Sequence, residues 1–219
     1  MMPHAKYYPG FEQLFIETEK DVFINTYVGG TGEDAVLLLH GHPETLLIWR
    51  DIAPVLAKKY RVVMTDLRGY GDSSKPCGEK DHSTYSKRVM ANDQLRVMEH
   101  LGIKRFHIAG HDRGARVAYR LIKDDPERAL SCTMMDILPT NRMYADTGKE
   151  FAEKYWHWFF YIQPAPFPER LLSAEPALFI RTNMQKKTGA SGAKKFPEDV
   201  MQDYIRCFSD PACVHAIME

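Results

Sequence analysis

The sequence is short of several things, and each shortage excludes a class of protein. Only four cysteines occur in 219 residues, Cys77, Cys132, Cys207 and Cys213. None forms a CxxC pair or a zinc-ligand spacing, so neither a disulfide framework nor a structural metal site is expected. No run of about 18 apolar residues is present, which argues against a membrane-spanning helix. The opening MMPHAKYYPGFEQ lacks an apolar h-region and reads as no secretory signal. Neither sign of charge is in excess, 29 Lys plus Arg standing against 29 Asp plus Glu, and that leaves no nucleic-acid footprint. There is no internal repeat and no low-complexity tract. These absences predict a soluble, cytoplasmic globular chain. At roughly 150 residues per domain it holds one large domain, or one plus a small insert.

What is present reads as alternating strands and helices. Phe11–Thr18 and Asp21–Val28 look like strands, the second followed by the turn Gly29-Gly30. Ala35–Leu39 is a short, wholly apolar run, the mark of a strand buried on both faces. Ile48–Lys59 carries apolar residues at helical spacing, Arg61–Thr65 reads as a strand, and Asp66–Pro76 as a loop. Tyr85–Leu101 (helix), Phe106–Ala109 (strand), Arg113–Lys123 (helix) and Leu130–Met135 (strand) complete the pattern. Such alternation implies right-handed crossovers and a doubly wound, mostly parallel α/β sheet. After Asp136 no convincing strand follows. Aromatics crowd into Tyr155–Phe160, prolines punctuate 164–168, Lys186–Lys195 reads as a mobile loop and Glu198–Phe208 as a helix. Residues 1–139 are therefore taken as a sheet core and 140–219 as a helical lid.

One pentapeptide between a strand and a helix carries the chemistry. Gly110-His111-Asp112-Arg113-Gly114 is a small-x-nucleophile-x-small elbow with an aspartate, not a serine, at its centre. A blander reading makes Asp112 a helix N-cap paired with Arg116 at i,i+4. Two further motifs at strand ends, His40-Gly41-His42-Pro43 and Asp66–Ser74, weigh against it, because open α/β sheets place their sites there.

With these motifs in view, the chain resembles the α/β-hydrolase superfamily and, within it, the fluoroacetate (haloacetate) dehalogenases. The resemblance rests on His40–Pro43, Asp66–Pro76, Gly110–Arg116, Asp136–Thr140 and the lid tetrad Tyr155–Trp158, and it runs over essentially the whole chain. It implies a small halogenated carboxylate as substrate, no cofactor, no metal, and a homodimer. Asp112 is then the nucleophile and Asp136 the acid that orients a histidine base. His157 and Trp158 are implied as the halide pocket.

The residue types suit that chemistry. A carboxylate can displace halide from an sp3 carbon, leaving an ester that water then cleaves. An anionic substrate 4 Å from anionic Asp112 would be repelled by roughly 4 kcal/mol. Arg113 and Arg116, three residues apart on one helix face, offer fixed positive forks that grip a carboxylate and offset this. Indole and imidazole N–H groups can receive a departing fluoride. By usual elbow geometry the backbone N–H groups of His42 and Arg113 make the oxyanion hole.

A gap remains in the pattern. In the family the histidine base lies beyond the lid, and none of the nine histidines here stands in that position. The expectation is a chain truncated before that histidine, with the C-terminal part of the core absent and an unpaired apolar sheet edge. His4, His82 and His100 read as surface. The alternatives are an epoxide hydrolase of the same superfamily and a truncated, non-catalytic hydrolase fragment.

Overall fold

The computed structural model describes residues 4–138, 140–145, 147–188 and 196–219, residues 185–188 in backbone only. The chain divides into two compact units, Met1–Ile137 and Leu138–Glu219.

The first unit is built on a six-stranded sheet. Its strands are β1 (Glu12–Glu19), β2 (Val22–Gly29), β3 (Ala35–Leu39), β4 (Arg61–Thr65), β5 (Phe106–His111) and β6 (Ala129–Met135), arranged in the order β1-β2-β4-β3-β5-β6. Two residues join β1 to β2, with Asp21 at φ 63°. So short a link permits only an antiparallel hairpin, and β2 also meets β4 antiparallel. The remaining pairs, β3 with β4, β3 with β5 and β5 with β6, are parallel. All five residues of β3 are buried, as its unbroken apolar run requires. Helix α2 (Lys87–His100) and helix α3 (Arg113–Asp124) belong to this unit, and α3 buries Ala115, Val117, Ala118 and Leu121. Among the described residues β6 ends the sheet on its side. Leu130 and Met134 are 38% and 44% exposed there.

Two expectations fail in this unit. The helix expected over 48–59 breaks into a 3-10 turn, Leu46–Trp49, and one short helix α1, Ala53–Leu56. Pro54 lies in the first turn of α1, where its missing N–H costs least; it cannot continue a helix begun upstream. His4 is not at the surface. It is 3% exposed, with its ring 6.2 Å from that of Tyr27.

The loops at the sheet's C-terminal end are held by buried polar groups. Asp66 accepts from the side-chain amide of Asn25 (2.8 Å) and from the backbone N–H of Leu46 (2.8 Å) and Asp72 (3.0 Å). His40, fully buried, accepts at Nε2 from the Leu67 N–H (3.0 Å), so its proton sits on Nδ1 and is donated to the Gly41 carbonyl (2.8 Å). Burial pushes its pKa below the usual histidine value, although Asp66 pulls the other way. Its folded pKa being depressed, the unfolded chain binds more protons below about pH 6.5, and stability drops as pH falls into that range. A urea-unfolding series should show wild type losing stability relative to His40→Gln between pH 7 and 5. The slope is at most about 1.4 kcal/mol per pH unit; parallel pH profiles would contradict the assignment.

The second unit is helical: α4 (Thr140–Ala145), α5 (Lys149–Lys154), α6 (Trp156–Tyr161), α7 (Phe167–Ala174), α8 (Pro176–Thr188), α9 (Glu198–Phe208) and α10 (Pro211–Met218). Phe179 of α8 stacks on Phe208 of α9 with centroids 5.1 Å apart. His215 of α10 lies 3.3 Å from Glu169 of α7. The helix expected over 198–208 has those bounds. Of the segment expected to be a loop, Lys186–Thr188 instead extends α8, and 189–195 lie outside the described residues, as does Pro139 of the strand-end motif.

Candidate active site

The elbow is formed where β5 turns sharply into α3. Asp112 carries φ 47° and ψ −116°, a left-handed conformation that a non-glycine residue holds only under constraint from its surroundings. The constraints are visible. The Asp112 N–H bonds the Met135 carbonyl (3.1 Å), and its own carbonyl accepts from the Arg116 N–H (3.2 Å). Asp112 stands at the N-cap position of α3, but its side chain makes no cap hydrogen bond to the helix. The flanking glycines are required by space. A Cβ on Gly110 would stand 2.6 Å from the backbone of Gly114, and one on Gly114 would strike the carbonyl oxygens of Leu39 and His40. Gly114→Ala should therefore force β3 and α3 apart, costing about 1–3 kcal/mol or more. Thermal unfolding checks this, an unchanged midpoint being the contrary result.

The Asp112 carboxylate faces the loop after β3. Its Oδ1 accepts from the backbone N–H of His42 at 2.9 Å, one of the two amides expected to form the oxyanion hole. The other, that of Arg113, is the first amide of α3. Arg113 donates from Nη1 to the Tyr70 hydroxyl at 2.8 Å, and Tyr70 is 3% exposed with its ring set edge-on to His40 and His42. Arg113 and Arg116 are both half-buried, unlike freely solvated surface arginines. Burial, then Arg113 and Arg116, lower the Lys87 pKa to about 7, while Asp112 opposes the shift.

Asp136, at φ 55° directly after β6, projects an 87%-exposed side chain whose Oδ2 is 3.9 Å from His111 Nε2. His111 Nδ1 is 3.0 Å from Glu44 Oε2, and Glu44, 2% exposed, also accepts from the Gly41 N–H (3.3 Å). Asp112, Asp136, Arg113, Arg116 and the His42 amide thus share the first unit. His157 and Trp158 lie on α6 of the second, half-buried. His157 packs 5.6 Å from the Tyr161 ring, and Trp158 packs 5.7 Å from Tyr144 and 6.3 Å from Phe151. Trp156 of the same helix is 42% exposed.

Sequence reasoning overlooked three participants. Tyr70 stood inside a quoted motif, but nothing in the sequence pairs it with Arg113. Glu44 and His111 lie 67 residues apart and meet only through the sheet. Among the described residues no group of three His, Cys, Asp or Glu is arranged to hold a metal, and no helix is long and apolar enough to cross a membrane.

Comparison with known proteins bears on this arrangement. The pattern of the alpha/beta hydrolase fold family matches residues 34–208. A fluoroacetate dehalogenase from Burkholderia sp is 45% identical over 95% of this chain and 67% of its own length. A soluble epoxide hydrolase from Corynebacterium sp. (strain C12) is 29% identical over 91% of this chain and 70% of its own. Among solved structures, an alpha/beta hydrolase assignment from Nostoc sp PCC 7120 superposes with a TM-score of 0.90 at 48% identity, covering 95% of this chain and 70% of that one.

Proposed function

Because the chain belongs to the α/β-hydrolase family, among the relatives of the fluoroacetate dehalogenases, we propose that it is a hydrolytic dehalogenase of short 2-haloacids, working through an ester on Asp112. The observation that carries this reading is a carboxylate held at a strained elbow with two half-buried arginines on the following helix turn. A serine there would suit esters. Neutral haloalkanes or epoxides would need no arginine pair.

Arg113 and Arg116 hold the substrate carboxylate and cancel the repulsion that Asp112 would otherwise exert on it. The hydroxyl of Tyr70 fixes the Arg113 fork from behind. An Asp112 oxygen attacks the halogen-bearing carbon, forming a C–O bond as the carbon–halogen bond breaks and halide leaves with the electron pair. His157 and Trp158 supply N–H donors to the halide. Water then adds to the ester carbonyl and gives up a proton to a base, which Asp136 is suited to orient. The oxyanion sits against the N–H groups of His42 and Arg113, each worth about 2.7–4 kcal/mol of transition-state stabilisation. Glycolate departs and the Asp112 carboxylate is restored.

Epoxide hydrolases among the relatives supply the competing reading, since they share the aspartate nucleophile. Rates of halide release from chloroacetate and of diol formation from styrene oxide separate the two. Chloroacetate turnover, or one glycolyl ester per chain by intact mass, is expected. Diol formation with no chloroacetate-derived product would reverse the assignment.

A further inference from the structure

The second unit carries an apolar face that no described residue covers. Helix α7 buries Pro168 and Leu172 and turns Phe167, Leu171 and Ala174 outward, three residues at i, i+4 and i+7 that share one helix face. Phe167 and Leu171, with Leu178 at the start of α8, are each more than half exposed. Beside them opens a cavity of about 250 Å³ lined chiefly by Trp156, Leu171, Leu172, Leu178, Phe179 and Glu175. That is smaller than the roughly 300–1,000 Å³ of most small-molecule sites and suits one protruding side chain. A contiguous exposed apolar patch of this kind marks an interface. Two opposite charges frame it. Arg170 precedes Leu171 on α7 and Glu175 caps the helix at its end, both exposed, and neither side chain has a hydrogen-bond or ion-pair partner among the described residues.

We propose that this face joins two copies of the chain in a two-fold dimer, with α7 crossing α7 of the other copy antiparallel and Arg170 of each copy paired with Glu175 of the other.

The charges identify the occupant. Association about a two-fold axis needs a patch complementary to itself, residue i meeting j while j meets i. Here the cation stands toward one end of the apolar stripe and the anion at the other, roughly 7.5 Å apart along the helix. An antiparallel crossing centred between Leu172 and Ser173 therefore matches both charge pairs at once, whereas a parallel one would set like charges together. The same crossing lays Phe167 and Leu171 of each copy over the cavity of the other and takes their apolar surface out of water. The stripe supplies the association, and the charges at its rim fix the register. Every residue invoked lies in the second unit, so the dimer stands apart from the chemistry assigned to Asp112.

The test is sedimentation equilibrium of the intact chain and of substituted chains in the micromolar range. Wild type is expected at twice the 25.2 kDa chain mass. Arg170→Glu and Glu175→Arg each place like charges opposite one another twice per dimer, and each should raise the dissociation constant about tenfold or more. Mixed in equal amounts, these two variants should pair with each other about as tightly as wild type, because every rim contact is again between opposite charges. Leu171→Asp should weaken the dimer on the order of a hundredfold. All three positions are exposed, so the fold tolerates the changes, and circular dichroism verifies it. A monomeric wild type would overturn the proposal and mean that something other than a second copy covers the face. So would a dimer indifferent to the three substitutions, which would assign association to another surface, or a mixture no tighter than its components, which would exclude the antiparallel pairing.

Discussion

Asp112→Asn, incubated with chloroacetate, should keep its unmodified mass, whereas the parent chain gains one glycolyl ester. The amide is nearly isosteric with the carboxylate, so the His42 N–H can still meet an oxygen acceptor at Oδ1. What is lost is the negative charge and nucleophilicity. Removing the nucleophile from a machinery that acts as a unit costs about 10⁴-fold or more in rate, so ester formation should vanish from any practical time course. Asp112→Gly sharpens the point. At φ 47° a glycine relieves backbone strain worth roughly 1–3 kcal/mol, so this variant should unfold at a higher urea concentration while being equally inert. Full defluorination or dechlorination by either variant would end the Asp112 proposal. Stability gained on losing the side chain would mean that the elbow holds Asp112 in place against its own preference.

The second large effect lies in the loop after β4. Arg68 is 3% exposed and grips Asp93 of α2 with two bonds, Nε to Oδ2 (2.8 Å) and Nη2 to Oδ1 (2.7 Å). Glu19 at the end of β1 takes a further bond from Nη2 (2.8 Å), and the Thr18 hydroxyl donates to Asp93 (2.7 Å). One guanidinium therefore ties a sheet strand, the loop carrying Tyr70, and a helix. Arg68→Ala leaves the Asp93 carboxylate buried and unpaired, which costs about 3–5 kcal/mol. For a unit of this size that lowers the thermal midpoint by roughly 10 °C. The double replacement Arg68→Met with Asp93→Leu removes both charges and should recover most of the loss, since a buried pair seldom outdoes well-packed apolar groups. A single variant as stable as wild type would show that the network contributes nothing.

That result also bears on how motifs are read. Asp66–Pro76 resembles a family signature, and its conspicuous charged residues invite catalytic roles. In the folded chain Asp66 and Arg68 are structural, satisfying backbone amides and a buried carboxylate. Tyr70 of the same loop reaches the candidate site, through the side chain of Arg113.

Where local sequence decided the outcome, reading it was sufficient. The unbroken apolar run Ala35–Leu39 became a strand buried on both faces, because no other element can hide five consecutive apolar residues in so short a length. The glycine spacing around Asp112 announced the elbow because a strand turning into a helix there admits no Cβ on either side. The arginine pair three residues apart followed from helical geometry alone. The sequence could not reveal which distant groups those residues would meet. Glu44 with His111, and Tyr70 with Arg113, are brought together by parallel pairing of β3 with β4 and β5. Such contacts depend on register between segments 20 to 70 residues apart, and no local propensity or period encodes register. The same physics explains His4, polar by type yet buried because the β2 surface it covers offered it the Tyr27 ring. Residue types and spacings determined that an aspartate would stand at the turn; the sheet alone decided which charges surround it.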